Sequence, residues 1–173
     1  MSVTRGAVGS ALIVVAVLVQ LSMLQHVDVL GARPDIAMLV AISLALLSGS
    51  VAGAGFGFMT GLLLDLASGQ PPGAQALIGT VVGYWCGRWG EVLVSDDHPV
   101  PPLVAGVLGT AAMQLLVPLV EYLVGLQSEG IQLASTIVAV TLGGAVAIPI
   151  YLLVRSIVLR VPSAQDAELG ADA

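Results

Sequence analysis

Apolar runs long enough to cross a lipid bilayer follow one another along almost the whole chain. The sequence is 57% hydrophobic and only 9% charged, whereas charged residues make up about 25% of an average soluble domain. A helix needs about 20 apolar residues to span the hydrocarbon core of a membrane. We therefore expect an all-α integral membrane protein with a single membrane domain over residues 1–161 and a short acidic, disordered tail over 162–173.

Residues that break helices divide the apolar sequence into six predicted transmembrane helices, packed as a compact bundle. The strongest breaker is the segment 68–73, which contains two prolines and two glycines. The predicted helices cover residues 6–25, 36–47, 51–67, 74–89, 103–126 and 131–159, and the clearest hydrophilic loop covers 91–102. The second helix is short for a span. It is apolar on every side except at Ser43, so we expect it to be buried among the other helices.

The placement of arginines does not by itself decide between six spans and five. With six spans and a cytoplasmic N-terminus, four of the five arginines face the cytoplasm and only Arg33 lies outside, as the positive-inside rule prefers. Five spans with an external N-terminus satisfy the rule equally well, with only Arg5 outside. We favour six spans with both termini in the cytoplasm, because burial explains the short second helix better, and keep five as the alternative.

A ladder of glycines at four-residue spacing runs through the third helix and ends at an acid. Residues four apart lie near one face of a helix, so Gly53, Gly57 and Gly61 share a bare strip with Asp65 at its end. In lipid, small residues let two helix backbones approach closely, and an interhelical hydrogen bond adds about 0.6–2 kcal/mol. The pattern therefore predicts a helix-packing or partner-binding surface.

The fourth helix repeats this pattern with Gly79, Gly83 and Gly87. Two such helices on either side of a short proline-containing loop are able to pack against each other. The sequence does not decide whether the strip on the third helix faces the fourth helix or the transmembrane helix of another protein. We expect a partner's helix to dock on the strip, with Asp65 as its polar lock.

Several polar residues gather at the external face in the six-span topology. Arg33 and Asp35 begin the second helix, while Asp65 and Glu121 lie near the outer ends of the third and fifth helices. Paired charges are the usual way in which such groups persist in apolar surroundings. One hypothesis is that Arg33 pairs with Asp65 or Glu121. The alternative is that each side chain reaches the headgroup region separately.

Other features of the sequence argue against several classes of function. The net charge of −6 disfavours binding to nucleic acid. The chain has no Lys and therefore no phosphate-binding loop that ends in Lys-Ser or Lys-Thr, and it has no Gly-x-Ser-x-Gly motif. His98 lies among acids but has no second His or Cys nearby, so we expect no metal. Catalytic residues and cofactors are not expected.

The segment from Gly31 to Arg88 resembles a known family. The matching positions are Gly31-Ala-Arg-Pro-Asp35, then Gly49, Gly53, Phe56, Gly57, Phe58, Gly61, Leu62 and Asp65, followed by Gly73 and Tyr84. This pattern is similar to that of the bacterial rod-shape-determining protein family MreD. The resemblance implies a helix arrangement similar to the substrate-binding subunits of energy-coupling-factor vitamin transporters.

The resemblance also implies a function without catalysis. A protein of this family is expected in the bacterial cytoplasmic membrane, as a subunit of the cell-elongation complex, or elongasome. It would bind the membrane-anchored scaffold MreC and act with MreB, RodA and a class B penicillin-binding protein in lateral peptidoglycan synthesis and cell shape. The resemblance does not decide whether the chain forms a homodimer. The competing interpretation of its function is a substrate-binding membrane subunit of a vitamin transporter.

Overall fold

The computed structural model describes residues 3–23, 35–68, 73–93, 100–123 and 133–160. These residues form six α-helices joined in chain order, so the predicted all-helical architecture with six helices is confirmed. The helices are α1 (Val3–Met23), α2 (Ile36–Ser48), α3 (Ser50–Ser68), α4 (Ala74–Leu93), α5 (Val100–Leu123) and α6 (Leu133–Leu159). The predicted tail and Arg33 lie outside the described residues.

Helix α2 is the centre of the bundle. It packs against all five other helices, and every residue from Ala37 to Leu46 is buried. Its one polar side chain in this stretch, Ser43, donates a 2.8 Å hydrogen bond from its hydroxyl to the carbonyl of Leu39 in the preceding turn. The expectation of a buried second helix is confirmed. At 13 residues and about 1.5 Å per residue, α2 is about 20 Å long, so its neighbours extend beyond it.

Four helices in the described ranges are long and apolar enough to cross a membrane. These four helices are α1, α3, α5 and α6, whereas α2 is a shorter apolar helix. Helix α4 has 20 residues, and its last two turns carry the charged residues Arg88 and Glu91. The chain is therefore membrane-embedded, and its spans do not all have the same length and polarity.

Both ends of the segment predicted as a hydrophilic loop at 91–102 are helical in the structure. Helix α4 continues past Trp89 to Leu93, and within its last turns Glu91 forms a salt bridge with Arg88 at 3.1 Å. Helix α5 begins at Val100 rather than 103. Its Pro101 and Pro102 lie in the first turn, where the missing N–H of proline costs no hydrogen bond.

A sharp turn at Gly49 makes α2 and α3 antiparallel neighbours. Gly49 has φ +89°, a left-handed conformation that glycine adopts without steric cost. Its N–H donates to the carbonyl of Ala45 at 3.0 Å, and its own carbonyl accepts from the N–H of Gly53 at 2.8 Å. One residue thus ends α2 and starts α3, which leaves no connecting loop between the central helix and the glycine ladder.

Candidate functional site

The glycine strip of α3 faces α4. A Cβ atom on Gly57 would collide with the backbone carbonyl of Gly79, and one on Gly79 would collide with that of Gly57. The same relation holds between Gly53 and Gly83. The two backbones are therefore in direct contact, with no space for a side chain between them, and the helices run antiparallel.

The contact extends along most of both helices. Further along α3, a Cβ on Gly61 would meet the backbone of Gln75 and Ala76. In the other direction, a Cβ on Gly87 would meet the backbone of Gly49. Because α4 occupies the strip, a partner's helix would have to dock elsewhere on this fold.

Asp65, at the end of the strip, caps the N-terminus of α4. Its side chain is buried, with 1% exposure. Oδ2 accepts hydrogen bonds from the backbone N–H groups of Gly73 (2.7 Å) and Ala76 (3.2 Å), and Oδ1 accepts one from Gln75 (3.2 Å). The first N–H groups of a helix have no partner within the helix and carry partial positive charge. The carboxylate therefore satisfies three backbone donors of the neighbouring helix.

Glu91 makes the equivalent contact at the opposite end of the pair. Its Oε1 accepts from the backbone N–H of Ser50 at 2.7 Å and from the Ser50 hydroxyl at 2.9 Å, at the N-terminus of α3. Oε2 pairs with Arg88. Glu91 lies beyond the apolar part of α4, and the hydrogen bonds from Ser50 and then from Arg88 hold the pKa of its carboxyl below the usual range. Each helix of the pair thus supplies an acid that caps the other.

Glu91 is a capping residue that the sequence reasoning missed, although a signal was present. The ladder on α3 runs in steps of four to Asp65, and the ladder on α4 runs from Gly79 through Gly83 and Gly87 in the same steps to Glu91. Both ladders end in an acid that caps the facing helix. Assigning Glu91 to a loop hid this correspondence, because a four-residue spacing has meaning only on a continuous helix.

A second polar contact fixes α1 to the start of α2. The Gln20 side-chain oxygen accepts a 2.7 Å hydrogen bond from the backbone N–H of Ala37, and Asp35 accepts one from Met38 at 3.0 Å. Gln20 also hydrogen-bonds the Asp35 side chain, and burial raises the Asp35 pKa against these two contacts. Nothing in the spacing of Gln20 distinguished it from other polar residues at a helix end.

The proposed external cluster is described only in part. Asp35 and Asp65 each bind backbone N–H groups at a helix N-terminus. Arg33 and the side chain of Glu121 lie outside the described residues, so the proposed pairing of Arg33 stays a prediction. Asp65 nevertheless has its hydrogen bonds supplied by backbone amides, so it does not require a cationic partner in order to be buried.

A buried hydroxyl in the middle of α3 is satisfied within its own helix. The buried hydroxyl of Thr60 donates to the carbonyl of Phe56 in its own helix at 2.8 Å. No group of three or more metal-ligating side chains occurs among the residues that the structure describes. Asp65 and Glu91 hold α3 and α4 together, because their oxygens accept hydrogen bonds from the backbone N–H groups of the facing helix.

Comparison with known proteins identifies the family. A family model described as "rod shape-determining protein MreD" matches residues 2–161. The chain belongs to the MreD family. No curated protein and no solved structure matches it. MreD proteins determine rod shape and are associated with the rod-shape machinery, and the family is a structural one that is not known for enzymatic activity.

Proposed function

We propose that this chain is a non-catalytic membrane subunit of the bacterial cell-elongation complex, and that it binds the MreC scaffold through transmembrane helix packing. The observation that carries the proposal is the match to the MreD family over residues 2–161. Four long apolar helices support the membrane location. We further propose the cytoplasmic membrane, both termini in the cytoplasm, and indirect action with MreB, RodA and a class B penicillin-binding protein. The comparisons give no support to the vitamin-transporter alternative.

Packing against a scaffold helix is consistent with the physics of the membrane interior. A transmembrane helix gains little hydrophobic free energy by leaving lipid, so association depends on close packing and interhelical hydrogen bonds. A subunit that serves as a docking partner needs a rigid surface. The close backbone contact between α3 and α4 holds these two helices in a fixed arrangement, which supports such a surface on their outer sides.

Depletion of the protein in its host bacterium, combined with purification of the tagged chain, tests the proposal. We expect depleted cells to lose their rod shape and the tagged chain to retain MreC through detergent extraction. Cells that stay rod-shaped, together with a purified chain that carries no MreC, would contradict the proposed function.

A further inference from the structure

The polar groups at the two ends of the α3–α4 pair are held at a fixed separation. At one end, Asp65 accepts hydrogen bonds from the N-terminus of α4. At the other end, Glu91 accepts hydrogen bonds from Ser50 at the N-terminus of α3. The rise from Ser50 to Asp65 along α3 is about 23 Å at 1.5 Å per residue. The two acid caps therefore fix both the register of the helices and the apolar length between their polar ends.

Exposed charges mark one boundary of the hydrocarbon core. Arg88 and Glu91 both have exposed side chains. They lie at the level of the turn between α2 and α3, because a Cβ on Gly87 would meet the backbone of Gly49 and Ser50. Charged side chains and the ends of helices are costly in hydrocarbon. The headgroup region of one leaflet should therefore begin at this level of the α3–α4 pair.

The opposite boundary follows from the other end of the pair. Helix α3 ends at Ser68 and α4 begins at Ala74, and the last carbonyls of a helix need partners that hydrocarbon does not provide. Along α4, the rise from Ala74 to Arg88 is about 21 Å. Both helices of the pair thus have apolar lengths well below the thickness of about 30 Å that is typical of a bilayer core.

The outer surface of the pair between these boundaries is apolar. Large hydrophobic side chains are exposed along α3 at Val51, Phe58 and Leu66, and along α4 at Leu77 and Val81. The chain is membrane-embedded, so acyl chains are the solvent that such a surface meets. The length of this surface therefore determines how thick the lipid layer beside it can be without burying the charges at its end.

Helix α6 presents a longer surface to the membrane. It carries no charged residue from Leu133 to Val154, a rise of about 32 Å. A tilt of about 20°, the average for transmembrane helices, shortens this length by only about 2 Å. A bilayer of ordinary thickness therefore matches α6 and is about 7 Å too thick for the α3–α4 pair.

We propose that the bundle thins the bilayer on one side: phospholipids along α3 and α4 have a hydrocarbon thickness of about 23 Å, whereas those along α6 keep about 30 Å. A bilayer adapts to a short apolar span by local thinning. The α3–α4 pair cannot lengthen its apolar surface by sliding, because Asp65 and Glu91 fix its register. This surface consequently selects phospholipids with short acyl chains, and the selection does not depend on the scaffold.

The tryptophans of the chain report on the α3–α4 side. Both Trp85 and Trp89 lie on α4, and Trp85 is 57% exposed, one turn before Arg88. Leu152 is a matched position on α6, because it is 54% exposed and lies one turn before Arg155. Leu152→Trp, combined with Trp85→Phe and Trp89→Phe, therefore moves the fluorescent group to the α6 side.

Quenching of tryptophan fluorescence by brominated phosphatidylcholines measures which lipids contact each side. The purified full chain is reconstituted into vesicles in which brominated lipids of one acyl-chain length compete with an unbrominated reference lipid. The series covers hydrocarbon thicknesses from about 23 to about 33 Å. We expect the wild-type tryptophans to prefer the lipid of about 23 Å over that of about 30 Å by about twofold or more. The Leu152→Trp variant should show the opposite preference.

Two results would overturn the inference. One is the same chain-length preference at the α4 and α6 positions, with circular dichroism showing that the variant keeps its helices. The other is a wild-type preference for the lipid of about 30 Å. The wild-type measurement needs no substitution, so it decides the question even if the Leu152→Trp variant does not fold.

Discussion

Two helix pairs in this bundle use glycine in different ways. Between α3 and α4, a Cβ on Gly57 or Gly79 would meet a backbone carbonyl of the facing helix. Between α5 and α6, a Cβ on Gly144 would meet the Val107 side chain, with Cγ2 at 2.7 Å. A side chain can change its rotamer, whereas a backbone carbonyl moves only with its whole helix. Glycine is thus required at Gly57 and Gly79 in the first pair and only preferred at Gly144 in the second.

The acids at the ends of α3 and α4 also distinguish this helix pair from α5 and α6. Asp65 and Glu91 join the ends of α3 and α4 by hydrogen bonds to backbone N–H groups. The described contacts between α5 and α6 instead include small side chains such as that of Thr110, which lies against Gly143. The comparison suggests that α3 and α4 form a fixed unit with defined geometry, against which less constrained helices pack. Substitutions in the two pairs can test this distinction directly.

The largest effect is expected from Gly57→Ala. The added methyl group would collide with the carbonyl of Gly79, so the helices must separate, and we expect a loss of about 3 kcal/mol or more in unfolding free energy. Unfolding in mixed detergent micelles, followed by circular dichroism, measures it.

Gly55→Ala is the matched control for Gly57→Ala, since it lies on the same helix and a Cβ there has nothing within 4 Å. We expect it to be neutral or to stabilise the protein by up to about 1 kcal/mol, because alanine favours the helix. If Gly55→Ala and Gly57→Ala had the same effect on the free energy of unfolding, the backbone contact between α3 and α4 would not be what requires glycine at position 57.

Asp65→Ala should have the next largest effect. It removes the acceptor for three backbone N–H groups at the start of α4, and we expect a loss of about 2–3 kcal/mol. Asp65→Asn keeps one side-chain oxygen and should lose about 1 kcal/mol. Equal losses from the two variants would show that the charge rather than the hydrogen bonding matters, and the same unfolding assay distinguishes these outcomes.

The sequence predicted the helices better than it predicted their contacts. Six helices were expected and the described residues form six, and the apolar surroundings of Ser43 correctly indicated a buried α2. Which helix would cover the strip at Gly57 could not be decided, because periodicity identifies a face and not what lies against it. The structure shows backbone amides as partners of Asp65, whereas the sequence reasoning looked to the usual pairing of charges; the pairing with Arg33 stays a prediction, because Arg33 lies outside the described residues. Residue types alone do not distinguish these two solutions.

A smaller effect is expected from Gly144→Ala in α6. The added methyl group would press on the end of the Val107 side chain, which can move by rotation about its χ1 bond. We expect a loss of about 1 kcal/mol, measured in the same micelles as Gly57→Ala. A loss as large as that of Gly57→Ala would remove the proposed difference between the two helix pairs.

The smallest effect is expected from Glu91→Gln, because Glu91 is exposed. Since hydrogen bonds from Ser50 and Arg88 lower its pKa in the folded protein, the charged form stabilises the fold above the ordinary carboxyl pKa. That contribution is lost as the pH falls through the lowered value. Thermal unfolding should therefore show a slightly larger decrease on acidification for wild type than for Glu91→Gln. Parallel pH profiles would indicate that the contact does not contribute to stability.

The cap formed by Asp65 also constrains the order of events during synthesis. Asp65 is translated eight residues before Gly73, the first of its hydrogen-bond donors. When α3 has been synthesised, its carboxylate therefore has no donors from α4, and α4 does not yet cover its glycine strip. A lone carboxylate in hydrocarbon is costly. We therefore expect the translocon to release α3 and α4 into the bilayer together as a helical hairpin, and a nascent chain that stops between them to be a substrate for membrane proteases.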